Sequence, residues 1–464
     1  MASYGDDDPI AAFATIPGNS ALTLIRCSGK GSQECAAAIF SAPRKLLQAA
    51  GNTIIRGWIV TPDAAELVDD VLLSVFRAPK SYTGEDSLDI SCHGGIAAGG
   101  AVMAALRSAG FRDALPGEFT FRAFMNGKID LTRSESVMEL VSAKTDMGRH
   151  HAVHRLSGVL EQEINCIKKK LIEVLAAAEI YLDYSEDEIS TDNDEIAGRL
   201  PKRTLALESL ARLQVLSQSW QRQQIYQEGI LAVIAGRTNA GKSSLFNLLL
   251  KEERSIVTDI PGTTRDWIEA WVSIEGIPVR LADTAGLRES ADPVEIIGIE
   301  RSRDLLEAAE LILYVVDGEA GLTAEDRSFI EKMQCNKRLL VLWNKSDIAP
   351  LPEDLISGAF LSVSAKTGKG IAELTLAITA AITGEQGAHW QSDAASVGTA
   401  RQKNLVDAAI LALQEALHLA EREEPLDIIA PMLREAVNSL GEITGEVSTA
   451  DILEEMFSKF CVGK

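Results

Sequence analysis

Gly236-Arg237-Thr238-Asn239-Ala240-Gly241-Lys242-Ser243 is the stretch from which the rest of the chain is read. It has the form G-x-x-x-x-G-K-[ST]. The apolar run Ile230-Leu231-Ala232-Val233-Ile234-Ala235 before it reads as a buried strand. Ser244-Leu245-Phe246-Asn247-Leu248-Leu249-Leu250 after it reads as the start of a helix. A glycine-rich turn between strand and helix aims backbone N–H groups at phosphate oxygens, and the helix adds the positive end of its dipole. In such a loop Lys242 reaches the outer phosphates and Ser243 holds Mg²⁺. Asn239, Ala240, Gly241 and Ser244 complete the cradle.

Four further motifs follow in order. A polar loop, Thr258-Asp259-Ile260-Pro261-Gly262-Thr263-Thr264, can fold over the phosphates, with Thr264 first choice to complete the Mg²⁺ shell. Asp283-Thr284-Ala285-Gly286 follows an apolar run: the aspartate stands behind Mg²⁺, and the Gly286 N–H senses the γ-phosphate. Asn344-Lys345-Ser346-Asp347 follows the strand-like Leu339 to Trp343. Asp347 accepts from the N1–H and 2-amino group of guanine, a donor pair that adenine lacks. Ser364-Ala365-Lys366 closes the base pocket. Five motifs in this order identify a GTPase rather than an ATPase. Leu287 follows Gly286, where many GTPases carry a water-orienting glutamine. Something else must orient the water; a carboxylate from the next loop can do so, and Glu289, Asp292 and Glu295 are rivals on the residues alone.

The bulk numbers set limits. With 464 residues the chain calls for two or three domains. A net charge of −22 repels nucleic-acid phosphates on average, so any RNA contact is local or made by a partner. Lys168-Lys169-Lys170 and the Arg122, Lys128, Arg133 set are the small basic sites available. The acidic start, Met1 to Asp8, is not a targeting segment, and no apolar run approaches a membrane span. Six scattered cysteines without a C-x-x-C pair suit a reducing compartment. A cytoplasmic protein without membrane attachment is expected.

Taken in order, residues up to about Phe124 alternate strand-like stretches (Leu22–Arg26, Asp69–Phe76) with a helix from Ile96 to Ala109. This predicts an α+β domain. Helical periodicity runs from Leu131 to about Glu188, returns at Leu205 to Leu216, and returns again in Ala400–Ala420, Ile428–Leu440 and Ile452–Phe460. Asp183 to Asp194 and Gln386 to Val397 read as loops. The expected division is 1–124 as the α+β domain, 125–225 and 385–464 as one helical domain, and 226–384 as an inserted α/β P-loop GTPase domain of Ras-like type.

The whole chain resembles the MnmE (TrmE) family of tRNA-modifying GTPases. The resemblance rests on Gly441-Glu442-Ile443-Thr444-Gly445-Glu446 and the terminal Phe460-Cys461-Val462-Gly463-Lys464. It rests also on Ser81 to Asp86, His93-Gly94-Gly95, Pro116-Gly117-Glu118-Phe119 and Arg122 to Leu131. It implies an N-terminal domain that binds folate and dimerises, a helical domain and an inserted G domain. It implies a homodimer joined to the FAD-containing partner MnmG (GidA) in a heterotetramer-type complex, with tRNA met mostly through that partner. Together such proteins modify carbon 5 of the wobble uridine of certain tRNAs, adding an aminomethyl or carboxymethylaminomethyl group. The carbon comes from 5,10-methylenetetrahydrofolate, the amine from ammonium or glycine, and GTP hydrolysis is required. The resemblance further implies a K⁺ site at Asn239, Thr258 and Ile260 with Thr263 beside them, and assigns the water-positioning role to Glu295. It implies a folate pocket at Arg26, Glu85, Lys128 and Lys464, with 5-formyltetrahydrofolate as an analogue of the natural carrier. The sequence departs from the family at Pro17-Gly18-Asn19-Ser20-Ala21-Leu22 and at Thr132-Arg133-Ser134.

Two rivals stand beside this reading. A ribosome-assembly GTPase shares the G motifs but not the folate residues or the terminal Cys461-Val462-Gly463-Lys464. A non-catalytic scaffold that uses GTP as a switch has no use for Glu295 or K⁺. His150, His151 and His154 could share a helix face, yet a solvated face is the expectation over a metal site. Cys461 is expected to pack rather than react, since no base is identifiable beside it.

Overall fold

The computed structural model of the chain describes residues 4, 8–61, 66–183, 200–252, 255–256, 269–283, 304–334, 338–356, 360–384, 394–447 and 450–463. Two units emerge: one gathers residues 1–138, 161–209 and 408–464, the other 139–160 and 210–407. Both contain helices as well as a sheet.

In the first unit six strands pair in the order β3-β4-β5-β2-β1-β6. They are β1 (Ile10–Phe13), β2 (Leu22–Ser28), β3 (Thr53–Val60), β4 (Leu67–Phe76), β5 (Ser87–His93) and β6 (Arg112–Asp113). Alternation along β4 shows why the sheet is two-sided. Val71, Leu73 and Val75 enter the core with Leu88 and Ile90 of β5, while Leu72 between them is exposed. Val102, Met103 and Leu106 of the helix Ile96–Ser108 cover that core. The expected strands and helix are therefore present, with bounds shifted by one or two residues.

The expected helical run from Leu131 is divided into Leu131–Ser142, Asp146–Leu156 and Val159–Asp183. Thr145 starts the second of these by accepting a 3.1 Å hydrogen bond on its Oγ1 from the Gly148 N–H, which is ordinary N-cap chemistry. The C-terminal helices are Ala400–Glu421, Leu426–Thr444 and Ala450–Ser458. Leu453, Phe457 and Phe460 join Phe121 and Leu131 in one apolar cluster. The last helix is thereby fixed to the helix Glu118–Met125, and the Cys461 carbonyl accepts from the Gly117 N–H at 3.3 Å. Gly463 lies against the Phe13 backbone. No described helix is long and apolar enough to cross a membrane.

In the second unit seven strands pair in the order β13-β12-β11-β7-β10-β9-β8. They are β7 (Ile230–Gly236), β8 (Ser255–Ile256), β9 (Glu269–Ile274), β10 (Ile277–Asp283), β11 (Leu311–Asp317), β12 (Arg338–Asn344) and β13 (Phe360–Ser362). β7 is parallel to both β10 and β11, and β12 and β13 continue the parallel run. A parallel sheet buries both faces, which explains the unbroken apolar strands. Ile230, Ala232 and Ile234 enter one core with Leu245 and Leu249 of the helix Lys242–Glu252. Leu231, Val233 and Ala235 enter the other, with Tyr314 and Trp343.

Candidate functional site

Topology alone places a crevice at the carboxyl end of β7. After β7 the chain builds β8, β9 and β10 on one side and then crosses to β11 on the other. Ligands of open α/β sheets bind outside the strand ends where the winding reverses in this way. The described motifs all cluster at strand ends: the phosphate loop after β7, Asp283 closing β10, Asn344 closing β12 and Ser364 just after β13.

The phosphate loop has no room for side chains at two positions. A Cβ on Gly236 would stand 2.3 Å from the Val315 carbonyl oxygen, and one on Gly241 would stand 2.2 Å from Asn344 Nδ2. Both residues also take positive φ, +141° and +94°. Asn239 takes φ +64°, a conformation asparagine tolerates, and is exposed at the loop tip. Lys242 is only 7% exposed, and its Nζ donates to the Arg237 carbonyl at 2.7 Å. Its ammonium is thus held inside the loop whose N–H groups it would assist. Ser243 Oγ donates to Asp283 Oδ2 at 2.7 Å. Asp283 is 4% exposed. A hydroxyl backed by a buried carboxylate is an oxygen pair that fits Mg²⁺, the hydroxyl as ligand and the carboxylate behind it.

The base side is organised by Asn344. Its Nδ2 donates to the Ala240 carbonyl at 2.8 Å, and its Oδ1 accepts from the Ala365 N–H at 3.0 Å. One amide therefore ties the phosphate loop to the Ser364-Ala365-Lys366 loop. Asp347 lies on the solvent side and accepts from Ser364 Oγ at 2.6 Å. That hydroxyl holds the Asp347 carboxyl below the usual aspartate range, and the Lys366 charge adds to the effect. The Ser346 N–H donates to the Val363 carbonyl at 3.1 Å, which fixes the backbone between them.

Asp317 was not anticipated from the sequence. It closes β11 in register with Asn344, and its Oδ2 accepts from Lys345 Nζ at 2.7 Å. Burial pushes the Asp317 carboxyl up, but the Lys345 ammonium and the Glu319 N–H outweigh it, so it lies below the usual range. The signal was available: Leu311 to Val316 is an apolar run ending in aspartate, as β10 ends in Asp283.

In the first unit Arg26, Glu85 and Lys128 all meet the 79–86 loop. The Arg26 guanidinium lies 5.7 Å from the Tyr82 ring centroid, and its Nε donates to Asp89 Oδ1 at 3.1 Å. Glu85 Oε2 accepts from Ser28 Oγ at 2.9 Å and from Arg122 Nη1 at 3.3 Å. Lys128 Nζ donates to the Pro79 carbonyl at 2.9 Å. Ser28 was not singled out in the sequence, and Tyr82 and Arg122 take contacts here that the sequence did not assign to them.

Thr258, Asp259, Ile260, Pro261, Gly262, Thr263, Thr264, Thr284, Ala285, Gly286, Leu287, Glu289, Asp292, Glu295 and Lys464 lie outside the described residues. So does the acidic stretch after Asp183.

Two expectations are corrected. The Arg122, Lys128, Arg133 set is not an open basic surface. Arg122 is paired with Glu118 and Glu85, and Arg133 with Asp130 and Glu161. Lys168 and Lys170 are likewise paired, with Glu446 and Glu208. Charge-rich helices in an acidic chain find carboxylates before they find phosphate. His151 does not share the solvated face of exposed His150: it is 2% exposed, with its ring 5.5 Å from that of Tyr226. The pattern of three histidines hides that the helix Asp146–Leu156 turns Gly148, His151, Ala152 and Arg155 inward.

Comparison with known proteins adds relatives over the full length. The family description "GTP-binding protein TrmE N-terminus" matches residues 9–128, and "MnmE helical domain" matches residues 131–461. A tRNA modification GTPase MnmE of Treponema denticola is 43% identical over 479 aligned residues, covering 100% of both chains. That of Carboxydothermus hydrogenoformans is 40% identical, covering 99% of this chain and 100% of the relative. Among solved structures, Aquifex aeolicus Era bound to GDP and AlF₄⁻ matches 39% of this chain and 66% of its own. Its identity is 24% and its TM-score 0.27.

Proposed function

The chain belongs to the MnmE family of tRNA modification GTPases, and from that premise we propose how its residues divide the work. It is a GTP hydrolase acting in tRNA modification. Lys242 and the loop N–H groups hold the β- and γ-phosphates. Asp347 selects guanine, with Ser364 fixing the carboxylate and Asn344 joining the two loops. Ser243 and Thr264, with Asp283 behind, would hold Mg²⁺, which would supply charge neutralisation at the phosphates. Glu295 orders the attacking water. Asn239, with backbone oxygens of Thr258 and Ile260 and with Thr263 beside them, forms a K⁺ site where other GTPases place an arginine. The exposed Asn239 side chain, at φ +64°, supports this with a neutral carbonyl oxygen suited to a monovalent ion.

Hydrolysis serves the modification of carbon 5 of the wobble uridine. A folate-borne carbon enters at Arg26, Glu85, Lys128 and Lys464, and an FAD-containing partner, MnmG, completes the chemistry. The protein acts as a cytoplasmic homodimer, with the four-part division into 1–124, 125–225, 226–384 and 385–464. The observation that carries the GTP reading is the Asn344 amide bridging Ala240 and Ala365, because it sets phosphate and base recognition at one distance.

The discriminating experiment is turnover in K⁺ and in Na⁺ at fixed ionic strength. Hydrolysis should rise steeply with K⁺ and stay slow in Na⁺. Asn239→Ala should lose the K⁺ response, while Arg265→Ala, at the arginine that follows Thr264 in the same polar loop, should keep it. Equal rates in the two cations would overturn the K⁺ assignment.

A further inference from the structure

We infer that Arg122 is a positioning residue for the Glu85 carboxylate and sets folate affinity through it. The inference rests on the folate reading above. Arg122 is 5% exposed and stands between two acids. Its Nη2 donates to Glu118 Oε1 at 2.9 Å and to the Asp8 carbonyl at 2.9 Å. Its Nη1 reaches Glu85 at 3.3 Å and 3.5 Å.

Glu118 is the fixed end of this arrangement. It is fully buried and also accepts from Arg112 at 2.8 and 2.9 Å and from the Leu115 N–H at 2.8 Å. Burial alone would push its carboxyl up. The Arg112 hydrogen bonds, the Leu115 N–H and the Arg122 charge outweigh that and hold it below the usual glutamate range. The helix Glu118–Met125 places Glu118 and Arg122 one turn apart, so the guanidinium is anchored before it meets Glu85.

Glu85 is the adjustable end. Its Oε2 is shared by Ser28 Oγ and Arg122 Nη1, whereas among described residues its Oε1 has only the 3.5 Å contact with Nη1. Ser28 is itself held by Thr83 at 2.6 Å and Ser87 at 3.0 Å. One oxygen is therefore pinned by two donors, and the other is left with a single long contact. A ring that presents two N–H donors, as a pterin does, needs a carboxylate whose plane is already fixed. A lysine at 122 would keep the charge beside Glu118 but has no fork to span both acids.

Calorimetry of the full chain with 5-formyltetrahydrofolate tests this through a double-mutant cycle. Glu85→Gln and Arg122→Gln should each weaken binding about tenfold, the scale of one charge-assisted hydrogen bond. The double variant should bind no worse than either single one, because Arg122 acts only through Glu85. Arg122→Lys keeps the buried charge, so it runs the same cycle should Arg122→Gln fail to fold, and it too should lose about tenfold. Two results overturn the inference while leaving the folate reading intact. One is wild-type affinity in Arg122→Lys; the other is losses that multiply in the double variant, as a merely structural defect would give. Unchanged affinity in Glu85→Gln would sink the folate reading and this inference with it.

Discussion

Ser243 and Asp283 meet through a 2.7 Å hydrogen bond that joins the first turn after the phosphate loop to the end of β10. The two residues are 40 apart in sequence, yet the parallel pairing of β7 with β10 sets Asp283 opposite Ile234 and brings the strand ends together. The contact fixes the hydroxyl before a metal ion arrives. Ser243→Ala removes a proposed ligand, and Asp283→Asn removes the charge behind it. Turnover at limiting Mg²⁺ should fall about 10- to 100-fold in Asp283→Asn and at least as far in Ser243→Ala. Excess Mg²⁺ should recover part of the loss in Asp283→Asn. Wild-type Mg²⁺ dependence in both variants would remove this pair from the metal site.

Asp347 is held by Ser364 at 2.6 Å and otherwise faces solvent. In Asp347→Asn one acceptor oxygen becomes a donor. GTP affinity should fall roughly ten- to a hundredfold, the scale of charge-assisted hydrogen bonds, while xanthosine triphosphate gains. Competition binding with both nucleotides measures it. ATP binding as tightly as GTP in the unaltered chain would contradict the assignment.

His151 gives the chain a pH dependence that is separate from nucleotide binding. Burial first, then the charges of Arg155, His150 and His154, push its imidazole down to about 4. In the unfolded chain it titrates near 6.5. A depressed histidine contributes stability that is whole above pH 6.5 and is lost as pH falls toward 4. Most carboxylates titrate below this window, so His151 contributes to the change in melting temperature between pH 7 and pH 5, and a variant lacking the ring isolates its share. It should fall on acidification, and His151→Phe should flatten that slope. Equal slopes would show that the ring does not titrate as its burial demands.

The phosphate loop and the strand ends around it were legible in the sequence because each is local. A phosphate loop is eight consecutive residues, and β7, β10 and β12 announce themselves as apolar runs before the motifs. Asp317 escaped notice because its role depends on strand register, which brings it beside Asn344 only after folding. Arg122 read as a surface cation for the same reason: its two acids lie four residues away on one helix and 37 residues away on a loop. His151 shows the limit of a pattern of residue types. Of the three histidines it is His151 that shares the inward face with Gly148, Ala152 and Arg155 and meets the Tyr226 ring on another helix, a contact that residue types alone do not reveal.

The most direct test of the account is mass spectrometry of wobble uridines in tRNA from cells that lack this chain. The account predicts loss of the carbon-5 modification and its recovery when the chain is supplied. Supplying Glu295→Ala should not recover it, although that variant should bind GTP nearly as well as the unaltered chain, because a water-positioning residue acts in the transition state. Unchanged wobble uridines in cells without the chain would contradict the account at its centre.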